Sequence, residues 1–448
     1  MTASESAAPV RRSFDVDNRL VLSIALPMML AYLTTPLLGI VDTAVIGRLG
    51  DAALLGGLAA GAIIFDLVFA TFNFLRTGTT GLVAQAFGRE EPAEEQAVFW
   101  RALIVALGAG FVLAVAAPLV VWAGARFLAA EPAVTDAMAT YVAIRLLSAP
   151  FALSNYAILG YVLGRGESGF GLGLQLLLNL VNMTLSVVLG LWMGWGVAGV
   201  AWATVVAEAV AACIGLTLLI LRFRRLPPLA PGALRNVAAL KTMFALNRDI
   251  MIRSFVLLGA FALFARQGAQ LGTLTLAANA VLMNFFLLSG YFLDGFATAA
   301  EQLAGRAVGA RYRPAFMRAV QLTAFWGFAV SGLVSVLFLL TGDALVALMT
   351  TAPQVRAMAG DYLPWAALTA VTGVLAFQMD GVFMGSTWSR DLRNMMLLSF
   401  ALFIAAMMTL PAQFGNAGLW MSLHLFLIGR GISLLAIMPV RARATFRD

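Results

Sequence analysis

Six acidic residues lie inside apolar stretches of a chain that is 61% hydrophobic and only 11% charged: Asp42, Asp66, Glu208, Asp294, Glu301 and Asp380. An unpaired charge at mid-bilayer costs at least about 2.5–3.5 kcal/mol, so an ionisable residue there is a functional candidate. Asp42 has apolar neighbours on nearly every side, within Gly-Ile-Val-Asp-Thr-Ala-Val-Ile-Gly at 39–47. Burial in a low dielectric disfavours the charged form of a carboxyl group, the property that a proton or cation carrier needs. The competing reading is an acid paired permanently with a structural partner.

Helical spacing groups other polar side chains. Asn284, Tyr291, Asp294, Thr298 and Glu301 step by 7, 3, 4 and 3, so they share one helix face. Asn73, Thr77 and Thr80 align with Asp294, Thr298 and Glu301 at an offset of 221, giving each half of the chain an equivalent polar stripe. The two stripes are expected to face each other as the walls of a substrate cleft. Glu301, near a helix end, reads equally well as a solvated residue. Asn179, Asn182 and Ser186 form a further face, and Thr204 and Glu208 are four apart. Such groups either line a cavity or join helices by hydrogen bonds. Asp294 and Asp380 are cleft candidates whose alternative role is to anchor helix packing, Asp380 with Arg253.

These residues need helices to hold them. Twelve stretches are long enough to cross a hydrocarbon layer: roughly 18–47, 54–84, 95–123, 135–160, 168–193, 197–222, 243–268, 274–303, 313–340, 355–382, 392–412 and 417–440. Leu49-Gly50 recurs at Leu271-Gly272, Gly164 at Gly385, and Gly196/Gly199 at Gly415/Gly418, all at offsets of 219–222. The segment Val83–Gly88 is echoed by Ala304–Gly309. An internal repeat with an even number of spans places both copies in the membrane in the same sense. The expected fold is an all-α polytopic membrane protein, with two six-helix bundles related by a pseudo-two-fold axis along the membrane normal. Its parts are a tail at 1–17, an N-lobe at 18–224, a linker at 225–242, a C-lobe at 243–440 and a tail at 441–448.

Most of the 29 basic residues fall on the side that holds both termini, against Arg48, Arg126, Arg266 and Arg356 opposite. By the positive-inside rule both termini are cytoplasmic. The net charge of +7 therefore reports topology and membrane lipid, not a nucleic-acid partner. Residues 1–17 are polar and the first apolar run is too long for a signal-peptide core, so no cleavable export signal is expected. Cys213 is the sole cysteine, which excludes an internal disulfide and a cysteine metal site; it reads as helix packing. Lys241 is the sole lysine and lies in no P-loop, so there is no ATP site of that kind. His424 lies only two residues from Ser422, on a different helix face, and no HExxH or GxSxG occurs. An intramembrane enzyme is disfavoured, His424 reads as a packing residue, and no cofactor or metal is expected.

At these positions the chain resembles the MATE (multidrug and toxic compound extrusion) family, in particular its DNA-damage-inducible branch. The carriers are Pro27 and Asp42 in VDTAVIGRLG, NRDIMIRS at 247–254, LAANAVLMNFF at 276–286, YFLDGFATAAEQLAGRAVGA at 291–310 and DGVFMGSTWSRDLRNMM at 380–396. The resemblance implies a monomeric, two-lobed exporter of small organic, often cationic compounds in a bacterial inner membrane, driven by inward protons or, less readily, Na+. It implies that Asp42 is the coupling carboxylate and that Pro27 is where the first helix bends. Asn182 and Thr204 match a cation-site pattern of the family, but Ser186 stands where that pattern carries an acid. This departure favours protons over Na+, with Glu208 as a substitute acid. With Asp42 ionised, the cleft is expected to be negative and to exchange proton for cation by competition. A flippase for lipid-linked saccharide is the rival reading, for which buried arginines are the expected signature.

Overall fold

The computed structural model describes residues 13–128 and 131–447. Those parts of the expected N-terminal tail that precede Ser13 lie outside the described residues, as does Asp448. The first half contains α1 (Asn18–Gly47), α2 (Ala52–Ala70), α3 (Phe74–Gly88), α4 (Pro92–Val115), α5 (Ala117–Leu128), α6 (Pro132–Leu147), α7 (Ala149–Gly164), α8 (Ser168–Leu185) and α9 (Gly196–Phe223). The second contains α10 (Val237–Gln270), α11 (Thr273–Gly309), α12 (Arg313–Met349), α13 (Pro353–Gly385) and α14 (Ser389–Thr445).

Several of these helices are halves of one pass. α2 continues into α3 after a turn at 71–73, and α6 meets α7 with a bend of 52°. A π-helical segment, Ser186–Trp192, prolongs α8. In the opposite sense, α14 holds two passes. Gly415 has left-handed φ of 55°, and the chain doubles back there, so that Phe403 packs on Phe426 and Gly429 on Leu402. Among the described residues nine helices are by length and apolarity able to span a membrane, or ten with the bent pair. With α14 counted as two passes and the more polar 34-residue α10 included, six passes fall in each half.

Large apolar side chains such as Ile40, Phe111, Leu119, Leu333 and Leu340 are exposed on the outside. Helices apolar all round belong in lipid, whereas contacts between them use small residues that let backbones approach. Here those contacts obey the repeat. Methyl groups added at Gly160 and Gly381 would run into the carbonyls of Arg76 and Ala297, and at Gly164 and Gly385 into those of Thr80 and Glu301. Each member of a pair is 221 residues from its mate, and so is each carbonyl. The sequence offset is therefore a spatial operation that superposes one lobe's packing on the other's.

The lobes meet through α1, α3, α10, α11 and α13. α3 and α11 cross where Gly88 abuts the Arg306 carbonyl and Gly309 abuts the Gln85 carbonyl, again at an offset of 221. Gln85 donates to the Gly385 carbonyl at 2.9 Å and to Thr387 at 3.1 Å. Val21, Ile24, Ala25 and Met29 of α1 join Phe296, Ala299, Leu303 and Phe383 in one buried core at this end. Phe14 lies under the Arg306 guanidinium, 4.0 Å from it. The seam is thus sealed at the end to which the basic residues cluster.

The strap between lobes is shorter than the expected 225–242, because Asn236 accepts from Ala238 N and Ala239 N and starts α10 at Val237. Asn and Asp are strong N-caps for this reason. On the N-lobe side, Arg101 donates twice to the Ala233 carbonyl, at 2.8 and 3.2 Å.

Candidate functional site

Asp42 is 9% exposed and accepts a hydrogen bond from Ser186 Oγ at 2.8 Å. Ser186 opens the π-helical segment, which is drawn against α9 by contact of Gly190 with Gly199 and packs on Val45. A residue larger than glycine at position 199 would hold the segment off and move Ser186 from Asp42. One helical turn before Ser186, Asn182 donates to Thr204 Oγ1 at 2.7 Å, while its Oδ1 is buried without a partner. Asp42 forms no ion pair among the described residues. Glu208 is committed elsewhere: Arg145 Nη1 lies 3.2 Å from it, with the guanidinium over the Phe65 ring at 3.7 Å. Asn179 is 1% exposed and donates to Thr34 at 2.6 Å; it joins α8 to α1 and does not line the cleft. Pro27 and Pro36 both lie within α1, whose helical assignment runs unbroken past them.

Between the lobes is a cleft with two compartments. One, of ≈ 270 Å³, is lined by Asn73, Arg76 and Thr77 of the first stripe and by Tyr291, Asp294, Thr298 and Glu301 of the second. The stripes do face each other. Arg253, Asp380 and Arg430 complete this wall. The other compartment, of ≈ 410 Å³, lies against the N-lobe, between Tyr32, Thr35, Leu38, Phe65, Tyr156 and Glu208. Asn73, Arg76 and Asp294 border both. Asn284, expected on the stripe, lines neither compartment: it is exposed and donates to the Ala280 and Val281 carbonyls of its own helix.

Two expectations about charge change. Asp42 lines neither compartment; it lies one turn beyond Leu38 on α1, behind the wall. The C-lobe compartment is not negative but balanced, with Arg76, Arg253 and Arg430 facing Asp294, Glu301 and Asp380. Asp380 anchors two helices as well as lining the cleft, since it is paired with Arg253 and, at 3.0 Å, with Arg430. Glu301 is not solvated: it is 3% exposed, with Oε1 lacking a partner. Asp66, by contrast, is exposed.

Arg76 and Arg430 are charged cleft residues absent from the expected site, as are Tyr32, Phe65 and Tyr156 of the second compartment. Arg76 lies three residues after Asn73, on the same stripe, and that spacing was the available signal. Cys213 is exposed on the outer face instead of packing between helices. His424 is a packing residue, with Nδ1 2.8 Å from Thr372 Oγ1 and Nε2 3.1 Å from the Trp365 carbonyl. Among the described residues no group of three or more His, Cys, Asp or Glu is placed to hold a metal ion.

The double pairing of Asp380 makes a prediction. Removing one partner of a buried ion pair costs about 3–5 kcal/mol because the remaining charge is stranded. Asp380→Asn strands two arginines, so purified protein should unfold at a clearly lower temperature than wild type. An unchanged unfolding temperature would show that the trio contributes nothing to stability.

Two pseudo-equivalent lobes of membrane-spanning helices, enclosing a charged cleft with an isolated carboxylate behind its wall, define a polytopic membrane transporter. The chain belongs to the MATE family: the family model described as MatE matches residues 27–218 and 250–409. It is 37% identical over 416 residues to the DNA damage-inducible protein F of Escherichia coli (strain K12), covering 92% of this chain and 90% of that protein. It is 26% identical over 445 residues to a probable multidrug resistance protein NorM of Chromobacterium violaceum, covering 93% and 92%. A solved MOP superfamily transporter from Pyrococcus furiosus, described by the reverse polarity of its binding pocket, matches with a TM-score of 0.88 over 96% and 97% of the two chains. At 15% identity that likeness shows the fold alone. As a MATE protein the chain moves small organic compounds across a membrane and is not an enzyme.

Proposed function

We propose that this chain exports lipophilic organic compounds, many of them cationic, across a bacterial inner membrane in exchange for inward protons. The observation that carries the reading is the setting of Asp42: a buried carboxylate with one hydroxyl partner and, among the described residues, no ion pair and no acid cluster around it. A Na+ ion asks for several oxygen ligands and benefits from more than one carboxylate. A proton asks only for one carboxylate that alternates between two environments. Ser186, Asn182 and Thr204 supply neutral groups that can reorient around either protonation state.

Because Asp42 stands outside the cleft, coupling runs through α1 instead of through competition at one spot. Thr35, Leu38 and Asp42 are spaced by 3 and 4 and share a face of α1, two of them on the cleft wall. Protonation removes the charge at Asp42, α1 repacks with Pro27 as the point of bending, and the wall behind the substrate moves. With both termini in the cytoplasm, the sealed end faces inward and the cleft opens outward. The lobes then rock about their pseudo-symmetric seam, as alternating access requires.

The test is efflux of an organic cation from loaded proteoliposomes under an imposed pH gradient, a Na+ gradient, or neither. Efflux driven by pH alone is the expected result. Efflux driven by Na+ alone refutes proton coupling and requires ligands beyond those around Asp42. No efflux of any organic cation under either gradient refutes the multidrug reading and makes lipid transport the next assay.

A further inference from the structure

We infer that the cleft takes zwitterionic amphiphiles, with the acidic group of the substrate received by Arg76 and its cationic group by Asp294. This deepens the export reading above and rests on it. Three observations carry it.

The first is position. Arg76, Asp294 and Asn73 are the residues that border both compartments, so a ligand bridging the seam passes between them. The second is the absence of pairing. Arg145, Arg253 and Arg430 each have a carboxylate partner. Among the described residues Arg76 has none: its donors reach Tyr32 Oη at 3.2 Å and Asn73 Oδ1 at 3.3 Å. Asp294 likewise forms no ion pair, its carboxylate receiving no hydrogen bond among the described residues. Opposite charges near each other in a medium of low dielectric attract strongly, yet these two are held apart. Tyr32 Oη takes up Arg76 and lies 3.1 Å from Thr298 Oγ1, and Thr298 donates to the backbone carbonyl of Asp294. These hydroxyls give the arginine a neutral partner, and none of them bonds to the Asp294 carboxylate. The third is the repeat. The position equivalent to Arg76 in the C-lobe is Ala297, whose carbonyl meets Gly381 as that of Arg76 meets Gly160. The packing of this helix turn is therefore satisfied without a guanidinium, and the side chain is free to serve a ligand. Guanidinium binds carboxylate or phosphate oxygens by charge-assisted, often bidentate, hydrogen bonds, which names the acidic group it takes.

Two fluorescent dyes isolate the acidic group. Rhodamine 110 carries a free carboxylate on a cationic xanthene, and rhodamine 123 is its methyl ester. Binding to purified full-length protein is read by fluorescence anisotropy. Wild type is expected to prefer rhodamine 110, and Arg76→Gln to lower its affinity for that dye about tenfold, in line with loss of a charged hydrogen bond. The affinity of Arg76→Gln for the cationic rhodamine 123 should not fall, because losing the guanidinium removes a repulsion and no bond, and Arg76→Lys should keep most of the preference. Asp294→Asn should weaken both dyes. Equal loss for both dyes in Arg76→Gln, or no loss for either, overturns the inference, as does a wild type that prefers the ester. If rhodamine 110 binds as expected but no pH gradient moves either dye in proteoliposomes, the export reading fails while the assignment of Arg76 stands. Including di-octanoyl phosphatidylcholine as competitor separates the sources of such a group. Displacement of rhodamine 110 by it alone, and not by excess unlabelled zwitterionic drug, assigns the site to a lipid headgroup and overturns the proposal for soluble substrates.

Discussion

Asp42→Asn should reduce efflux driven by a proton gradient to the passive leak while the protein stays folded. Asparagine has the shape of the carboxylate and still accepts from Ser186 Oγ, 2.8 Å away in the wild type. Only the ability to gain and lose a proton disappears. Nothing is stranded by the change, because Asp42 has no ion-pair partner, and the cost of an unpaired intramembrane charge, about 2.5–3.5 kcal/mol or more, is removed. The unfolding temperature should accordingly hold or rise as transport vanishes. Ser186→Ala provides the contrast. It removes one hydrogen bond, worth about 1 kcal/mol or somewhat more to a charged group, and should slow pH-driven efflux without abolishing it. Undiminished pH-driven efflux from Asp42→Asn proteoliposomes would end the case for this residue.

The second large effect is expected at the crossing of α3 and α11. A side chain at Gly309 points into the carbonyl of Gln85, and one at Gly88 into that of Arg306. A backbone carbonyl has no rotamer by which to withdraw, so Gly309→Val can be accommodated only by parting the lobes at their sealed end. Overpacking costs roughly 1–3 kcal/mol, which tilts a two-state equilibrium by about fivefold to 150-fold. Each lobe keeps its own core, so the variant should fold, populate a conformation open at the Arg89 and Arg311 end, and fail to cycle. Spin labels at positions 89 and 311, in a Cys213→Ser background, should show the distance between them lengthening. Gly88→Val should do the same, because the two contacts are images of each other. Gly332→Val, at a glycine with nothing within 4 Å of a added Cβ, should do neither. Identical label distances in Gly309→Val and wild type would show that this crossing does not govern closure.

The glycines explain why so much of the architecture was legible. Gly164 and Gly385, or Gly88 and Gly309, recur because helices pass so closely there that only hydrogen fits, and such a constraint is written directly into residue type. The polar stripes were legible for a similar reason, since a face of Asn, Thr, Asp and Glu in an apolar helix needs a cleft or a partner. Partnership itself was not. Arg253 was suspected for Asp380, but Arg430 arrives from a pass 50 residues further along, and no periodicity links positions on separate helices. The burial of Glu301 depends on other helices packing around it, as where Gly385 of α13 meets its carbonyl, and a helix end looks solvated when read alone. The π-helical segment at Ser186–Trp192 has no signature beyond Gly190, yet it sets which face meets Asp42. The negative cleft was expected from an ionised Asp42 among the acids that line it. What counts is which of them line the same wall, and Asp42 does not.

The strap between the lobes has a mechanical meaning. It is pinned to the N-lobe at Ala233 by Arg101 and to the C-lobe at Asn236 by the cap of α10. Only Leu234 and Arg235 lie between the two anchors, and the three Cα-to-Cα steps that join them span roughly 10 Å when fully extended. The strap is thus a leash of fixed length. It lets its two anchors separate to that full reach and no further before it goes taut, so the stroke of the machine is limited by a single guanidinium holding a single carbonyl.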